Sequence, residues 1–251
     1  GDVYLAGQYG TANFVTLRYD SLGTKIWSKV SAGGKASALA IGGTTMTFGV
    51  YVLGVNDTGD GKFIKYNETG VPQWTNSISA GSGDFSATDI LFYSSALYVS
   101  LDAVTSSIDS KIIKYNTSGT AQWTYTEAGD YGSLGLHISG GFLYTITTDV
   151  NHQVRKINLT TGLVVGDYEY KSYRLDVSGE DYYFRFYPNA ICYGINGSLL
   201  VTGNCNGISG VTGNIGTVNI CNPAVNVTIT EPATSPNYVC VGSSFELSAT
   251  G

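Results

Sequence analysis

The chain has 251 residues, of which 13% are charged and 43% hydrophobic, with a formal net charge of −6 at pH 7 and 33 Gly, 19 Tyr, 5 Pro, 1 Met and 2 His. The length gives room for one large or two small domains with a proper core, and the acidic balance argues against a nucleic-acid surface, which needs clustered Lys and Arg. Sparse charge argues against disorder, coiled coils and helical bundles, the abundant Gly, Ser, Thr, Val, Ile and Tyr make a β composition, and so few proton-transferring groups argue against an enzyme.

The chain begins with Gly, not Met, and shows no signal peptide, which suggests a processed or partial chain. The first strand-like element is Val3-Tyr-Leu-Ala-Gly7. It leads into Phe14-Val-Thr-Leu-Arg-Tyr-Asp-Ser-Leu-Gly-Thr-Lys-Ile-Trp27. Next comes the longest uncharged run, Ala36 to Asn56, about long enough to span a bilayer. Gly42, Gly43, Gly49, Gly54 and Thr44, Thr45 and Thr47 interrupt it. It reads as two strands around a Gly-Gly turn, not as a membrane span. The acidic loop Asn56-Asp-Thr-Gly-Asp-Gly61 lacks the alternating acidic spacing and the later Glu of an EF-hand, so it reads as a turn.

The same elements then return. Phe63 to Trp74 and Lys111 to Trp123 repeat the pattern [Leu/Ile]-[Arg/Lys]-Tyr-[Asp/Asn]-x-x-Gly-x-x-x-Trp, with Tyr19, Tyr66 and Tyr115 spaced by 47 and 49. Arg155-Lys-Ile-Asn-Leu-Thr-Thr-Gly162 is a fourth, degenerate copy without the Trp. The Val3 element recurs at Val50, Leu97, Leu143 and Leu199, with starts spaced 47, 47, 46 and 56. Strand-like stretches precede it at Ala36 to Ile41, Ser86 to Phe92, Leu134 to Ser139 and Ala190 to Gly194. Four strands per unit of this length is the signature of a β-propeller blade. The expected fold is all-β: a propeller of about five four-stranded blades over residues 1–221, with both terminal blades incomplete. The first lacks its leading strand and the last, ending at Ile215 to Ile220, lacks its fourth.

The Asn/Asp-x-x-Gly element predicts a hairpin turn. Trp27, Trp74 and Trp123, with Tyr19, Tyr66 and Tyr115, are expected to pack between blades. Arg18, Lys65, Lys114 and Lys156 recur beside the Tyr position, and alternation suggests a solvated blade face for them. His137 falls in a strand-like stretch and His152 in a loop, neither in a zincin or triad context.

The repeated stretches resemble the bacterial propeller repeats known as SBBP repeats and, more distantly, quinoprotein-type propeller repeats. The resemblance covers about residues 1–221. It implies a secreted or surface-attached propeller, usually inside a larger multidomain protein, and implies no catalytic residues and no cofactor. Residues 222–251 differ. Cys240-Val-Gly-Ser-Ser-Phe-Glu-Leu-Ser-Ala249 is similar to the opening strands of Ig-like modules of secreted Bacteroidota proteins. A whole Ig-like sandwich needs about 100 residues, so this extended β segment is either a partial module or a donor strand.

Four cysteines, Cys192, Cys205, Cys221 and Cys240, crowd the last quarter without a C-x-x-C. They are better disulfide candidates than zinc ligands, and three pairings remain open. Sequons at Asn56, Asn67, Asn116, Asn158, Asn196 and Asn226 are glycosylation candidates. Asp20-Ser21-Leu22 resembles an O-glycosylation motif of Bacteroidota, with Ser21 as the acceptor. Residues 224–230 could fill the gap in their own ring or donate a strand to a neighbour, and the expected role is a secreted, non-enzymatic structural protein: a homo-polymer built by the second route. The alternative is a carbohydrate-binding or adhesive propeller. A quinoprotein-like oxidoreductase would need a channel cofactor with calcium ligands beside it, and the sequence offers neither.

Overall fold

A computed structural model of the chain describes residues 1–44, 47–104, 108–127, 133–147, 153–169, 174–177, 180–183, 185–193, 199–206 and 214–220. Every regular element in it is a strand. The first sheet holds β1 (Val3–Tyr9), β2 (Asn13–Tyr19) and β3 (Lys25–Ala32). Three four-stranded sheets follow. They are β4 (Lys35–Gly42) to β7 (Pro72–Ile78), β8 (Phe85–Tyr93) to β11 (Ala121–Glu127), and β12 (Ser133–Ser139) to β15 (Val164–Glu169). Between their ends lie β5 (Gly49–Val55), β6 (Gly61–Tyr66), β9 (Ala96–Ala103), β10 (Ser110–Asn116), β13 (Phe142–Thr147) and β14 (Gln153–Asn158). A two-stranded hairpin, β16 (Arg174–Val177) and β17 (Glu180–Tyr183), precedes the last sheet. That sheet holds β18 (Arg185–Tyr193), β19 (Leu199–Asn206) and β20 (Asn214–Ile220).

Each sheet is an antiparallel meander in chain order. The leading strands β4, β8, β12 and β18 pack against one another in succession, and β1 packs against β4. The sheets are therefore the blades of a β-propeller. Among the described residues, three blades have four strands and the terminal two have three, as the repeat spacing leads one to expect. The β16–β17 hairpin was not anticipated. It sits in the one interval where the repeat lengthens from 46 or 47 residues to 56. Residues 222–251, and with them the Ig-like segment, lie outside the described residues.

The core is divided among the seams between blades. Phe14 of blade 1 packs with Val50, Val52, Ile64 and Tyr66 of blade 2. Tyr51, Leu53 and Phe63 of blade 2 pack with Leu97, Val99, Ile113 and Tyr115 of blade 3. Tyr98 and Ile112 meet Leu136, Leu143 and Ile157 across the next seam. Tyr144, Ile146 and Val154 meet Ile191, Leu199 and Val201 across the last. Blades 2 to 4 are thus covered on both faces, and all seven residues of β5 are buried. A strand buried on both faces reads as continuous apolar sequence rather than as alternation. That is why residues 36–56 mimic a membrane span. Among the described residues, no helix is long and apolar enough to cross a membrane.

Two irregularities recur at fixed places. The leading strands bulge at Ala36/Ala38, Ala87/Asp89, Leu134/Leu136 and Pro188/Ala190. The third-to-fourth strand pairs bulge at Arg18/Tyr19, Lys65/Tyr66, Lys114/Tyr115 and Lys156/Ile157. Each bulge adds one residue and bends the strand, so each of the three four-stranded blades carries the same two bends.

Candidate functional site

The bulge beside the repeated cation sets up the constellation that recurs most faithfully. Strand register places Tyr4, Arg18 and Trp27 in one cross-strand row. Tyr51, Lys65 and Trp74 form the same row in blade 2, and Tyr98, Lys114 and Trp123 in blade 3. In blade 4 the row is Tyr144, Lys156 and Gly166. The cation lies over the Tyr ring, 5.6 Å from its centroid for Arg18, 5.4 Å for Lys65 and 5.7 Å for Lys114. Such contacts carry cation–π attraction.

The rows of blades 1 to 3 reach across their seams into a turn of the following blade. The turns begin at Asp20, Asn67, Asn116 and Asn158. Their side-chain oxygens accept backbone N–H groups from Leu22 and Thr24, from Thr69 and Val71, from Ser118 and Thr120, and from Thr160 and Thr161. Gly23, Gly70, Gly119 and Gly162 close them at φ of 81°, 77°, 82° and 72°, a region that costs other residues strain. Once the Asn side chain has satisfied the turn, the next carbonyl is free to accept from outside. Trp27 Nε1 donates to the Glu68 carbonyl at 2.9 Å, Trp74 Nε1 to Thr117 at 3.2 Å, and Trp123 Nε1 to Leu159 at 3.1 Å. The row's cation donates to the same oxygen: Arg18 to Glu68 at 2.5 Å, Lys65 to Thr117 at 3.3 Å and Lys114 to Leu159 at 2.8 Å. The indole lies against the closing Gly, and a Cβ on Gly70, Gly119 or Gly162 would come within 2.9, 3.1 or 2.7 Å of that ring.

This corrects the solvated face expected for the cations. Arg18, Lys65 and Lys114 are half-buried fasteners, their stems along the seam and their heads on a carbonyl. Burial pulls the Lys65 ammonium below its ordinary pKa. Tyr66 and Tyr115, on the opposite face of their blades, are buried, and burial pushes the Tyr115 phenol up to about 12. Tyr19, their counterpart in blade 1, stays partly exposed.

Other ties were not foreseen. Lys62 reaches back to blade 1, donating to the Ala32 carbonyl at 2.6 Å with its ammonium over the Phe14 ring. Asp89 accepts the N–H of Leu136 at 2.8 Å, joining the leading strands of blades 3 and 4, and burial raises its pKa. Arg155 pairs with Glu127 at 2.6 Å across the same seam and with Asp167 at 3.3 Å. The Tyr125 hydroxyl donates to Glu127, and burial, with that carboxylate, pushes its pKa up. None of these recurs in the repeat, so sequence periodicity could not flag them.

The remaining candidates fall as follows. Ser21 is exposed on the blade 1 turn, and Asn56 caps a further turn through the N–H groups of Thr58 and Asp60. Cys192 is an exposed free thiol. Cys205 lies in β19, and Cys221, Cys240, Asn196, Asn226 and His152 lie outside the described residues. His137 stands opposite Tyr144 in the β12–β13 register, and burial lowers its pKa. Among the described residues, no group of three or more His, Cys, Asp or Glu is placed to hold a metal ion. What the site does chemically is fasten one sheet to the next, always in the same direction.

No protein-family model and no curated protein matches the sequence. Solved structures do match. The Dos1 propeller aligns with a TM-score of 0.53 at 14% identity, over 77% of this chain and 49% of that one. A quinohemoprotein alcohol dehydrogenase from Pseudomonas putida aligns with a TM-score of 0.51 at 12% identity, over 80% of this chain and 43% of that one. BamB from Moraxella catarrhalis gives 0.48 at 12% identity, over 86% and 66%. The chain thus spans about half the length of the Dos1 propeller chain, and the likeness is one of fold.

Proposed function

We propose that the chain is a secreted, non-enzymatic structural protein, a propeller subunit that polymerises into an extracellular filament or surface matrix. The observation that carries this reading is the state of the first blade. The outer edge of β1 pairs with no strand among the described residues, and Val3 and Leu5 keep 51% and 49% of their surface in solvent. Open edges and apolar sheet faces invite another chain. In this reading residues 222–251, with their resemblance to an Ig-like module, supply a strand to a neighbour. The resemblance of the repeats to SBBP repeats supports a secreted or surface setting, and the sequons on the blade turns would carry glycans. The proposal is tested by electron microscopy and sedimentation of the full chain beside a chain lacking residues 223–251. Polymers that vanish on deletion support strand donation. Unchanged polymers remove it.

The carbohydrate-binding alternative gains little from the Trp residues. Their indole N–H groups are already spent on carbonyls within the seams. Binding of monomeric protein to a glycan array would revive it.

A further inference from the structure

We infer that Asn67, Asn116 and Asn158 are the acceptors of N-linked glycans and that Asn56 is not, so that blades 2 to 4 carry sugar at one end and stay bare at the other. The assignment rests on the extracellular setting proposed above and adds to it which sequons are modified.

The fold puts the three acceptors together. Each opens the turn between the third and fourth strands of its blade, β6–β7, β10–β11 and β14–β15. Hairpins of an antiparallel meander alternate between its two ends, so in each blade this turn and the β5–β6 type of loop lie at opposite ends. Trp27, Trp74 and Trp123 each grip the same turn of the next blade, which keeps the three turns at one common end. Asn56 lies in the β5–β6 loop, at the other end. Exposed Asp57 shares that loop, and exposed Asp84 and Asp109 occupy the β7–β8 and β9–β10 loops of the same end.

Blade 1 shows what the turn itself requires. Asp20 builds it with side-chain oxygen alone, and the residue two places on is Leu22, without a hydroxyl. Blades 2 to 4 have an amide nitrogen at the first place and Thr69, Ser118 or Thr160 at the second. Both groups exceed what the turn needs, and together they make the N-linked acceptor pattern. The Asn oxygens hold the turn, and the three Nδ2 groups bond to no described group. Thr69, Ser118 and Thr160 are exposed. A sugar on Nδ2 therefore leaves the turn and its seam bonds intact. Asn56 is tied on both sides. Its oxygen accepts the N–H groups of Thr58 and Asp60, and its Nδ2 donates to Asp60 Oδ2 at 3.4 Å. A sugar there would stand against a carboxylate that the Ala80 N–H fixes at 2.9 Å.

The donor would be an oligosaccharide on a polyprenyl diphosphate. Nδ2 attacks its anomeric carbon, and a C–N bond forms as the C–O bond to the diphosphate breaks. The diphosphate leaves as the anion, and one Nδ2 proton passes to a base of the transferase.

The test is tryptic peptide mapping by mass spectrometry of the full chain recovered from the medium of the cells that make it. Lys and Arg positions put the four sequons on separate peptides: 36–62 holds Asn56, 66–111 holds Asn67, 115–155 holds Asn116 and 157–171 holds Asn158. The last three should each be heavier by an oligosaccharide, and 36–62 should keep its unmodified mass. Thr69→Ala keeps Asn67 and the backbone donors of the turn, and should return 66–111 to its unmodified mass. Thr69→Ser should restore the sugar. Asn67→Asp, which copies blade 1, should lose the sugar with an unchanged far-ultraviolet circular dichroism spectrum. A chain in the medium with the three peptides unmodified overturns the inference and leaves the extracellular reading standing. A chain held inside the cells and unmodified overturns both. Sugar on 36–62 to the same extent overturns the one-ended arrangement. Sugar that stays on 66–111 in both Thr69→Ala and Asn67→Asp sits on another residue and overturns the assignment to Asn67.

Discussion

At the scale of the residue, the repeated Trp has two separable jobs. Trp74 packs edge-on against Phe63, with ring centroids 4.9 Å apart, and donates one hydrogen bond across the seam. Trp74→Ala loses both and should cost about 3 kcal/mol in chemical denaturation. Trp74→Phe keeps much of the packing and should cost about 1 kcal/mol, the worth of the lost hydrogen bond. Asp20 offers a pH test with an internal control, since the other three turns use Asn. The backbone N–H of Thr24, then that of Leu22, holds its carboxyl below the usual range. A depressed folded pKa gives stability that is present above the unfolded pKa, about 3.9. That stability is lost as pH falls through the folded value. Asp20→Asn should preserve the turn and flatten part of the acid limb of a stability–pH profile, while Asp20→Ala should weaken the turn at neutral pH. The turn was legible in sequence because Asn/Asp-x-x-Gly states its own geometry. The cations were misread because alternation assigns a side chain to a face but does not say what lies opposite. In a propeller both faces of a blade meet protein.

At the scale of the element, the closing glycine separates backbone strain from collision. Gly23 and Gly70 share nearly the same φ, 81° and 77°, but only Gly70 lies under an indole. Gly23→Ala should cost about 1–2 kcal/mol for the left-handed conformation alone. Gly70→Ala should cost more, because its Cβ also displaces Trp27, and the difference between the two denaturation midpoints measures the seam. The strands themselves were legible for a related reason. A period of 46 to 49 residues fixes each element by its neighbours even where its own pattern is ambiguous, as at Val50–Val55. The β16–β17 hairpin and the ties through Asp89 and Arg155 occur once, and a single occurrence leaves no period to detect. Arg155 and Glu127 lie 28 residues apart in sequence and meet only because the blades stack.

At the scale of the whole molecule, stability should be graded along the array. The middle strands β5, β9 and β13 are covered on both faces, whereas β1 is covered on one. Native-state amide exchange should be slowest in β5, β9 and β13 and measurably faster in β1, the least protected part of an otherwise nearest-neighbour stack. Equal protection of β1 would mean that its open face is covered in solution. The fasteners also have a sense: each of the three Trp-bearing rows grips the blade that follows it. A molecule built of one-way catches has a mechanical polarity. Pulled from its two ends, it should not shear as a single body. It should yield catch by catch, releasing about 160 Å of extended chain for each repeat of 47 residues. The blade 4–5 seam should yield early, because Gly166 stands in blade 4 where the other rows hold Trp. In the filament proposed above, such stepwise yielding would dissipate work while the linkage stays whole.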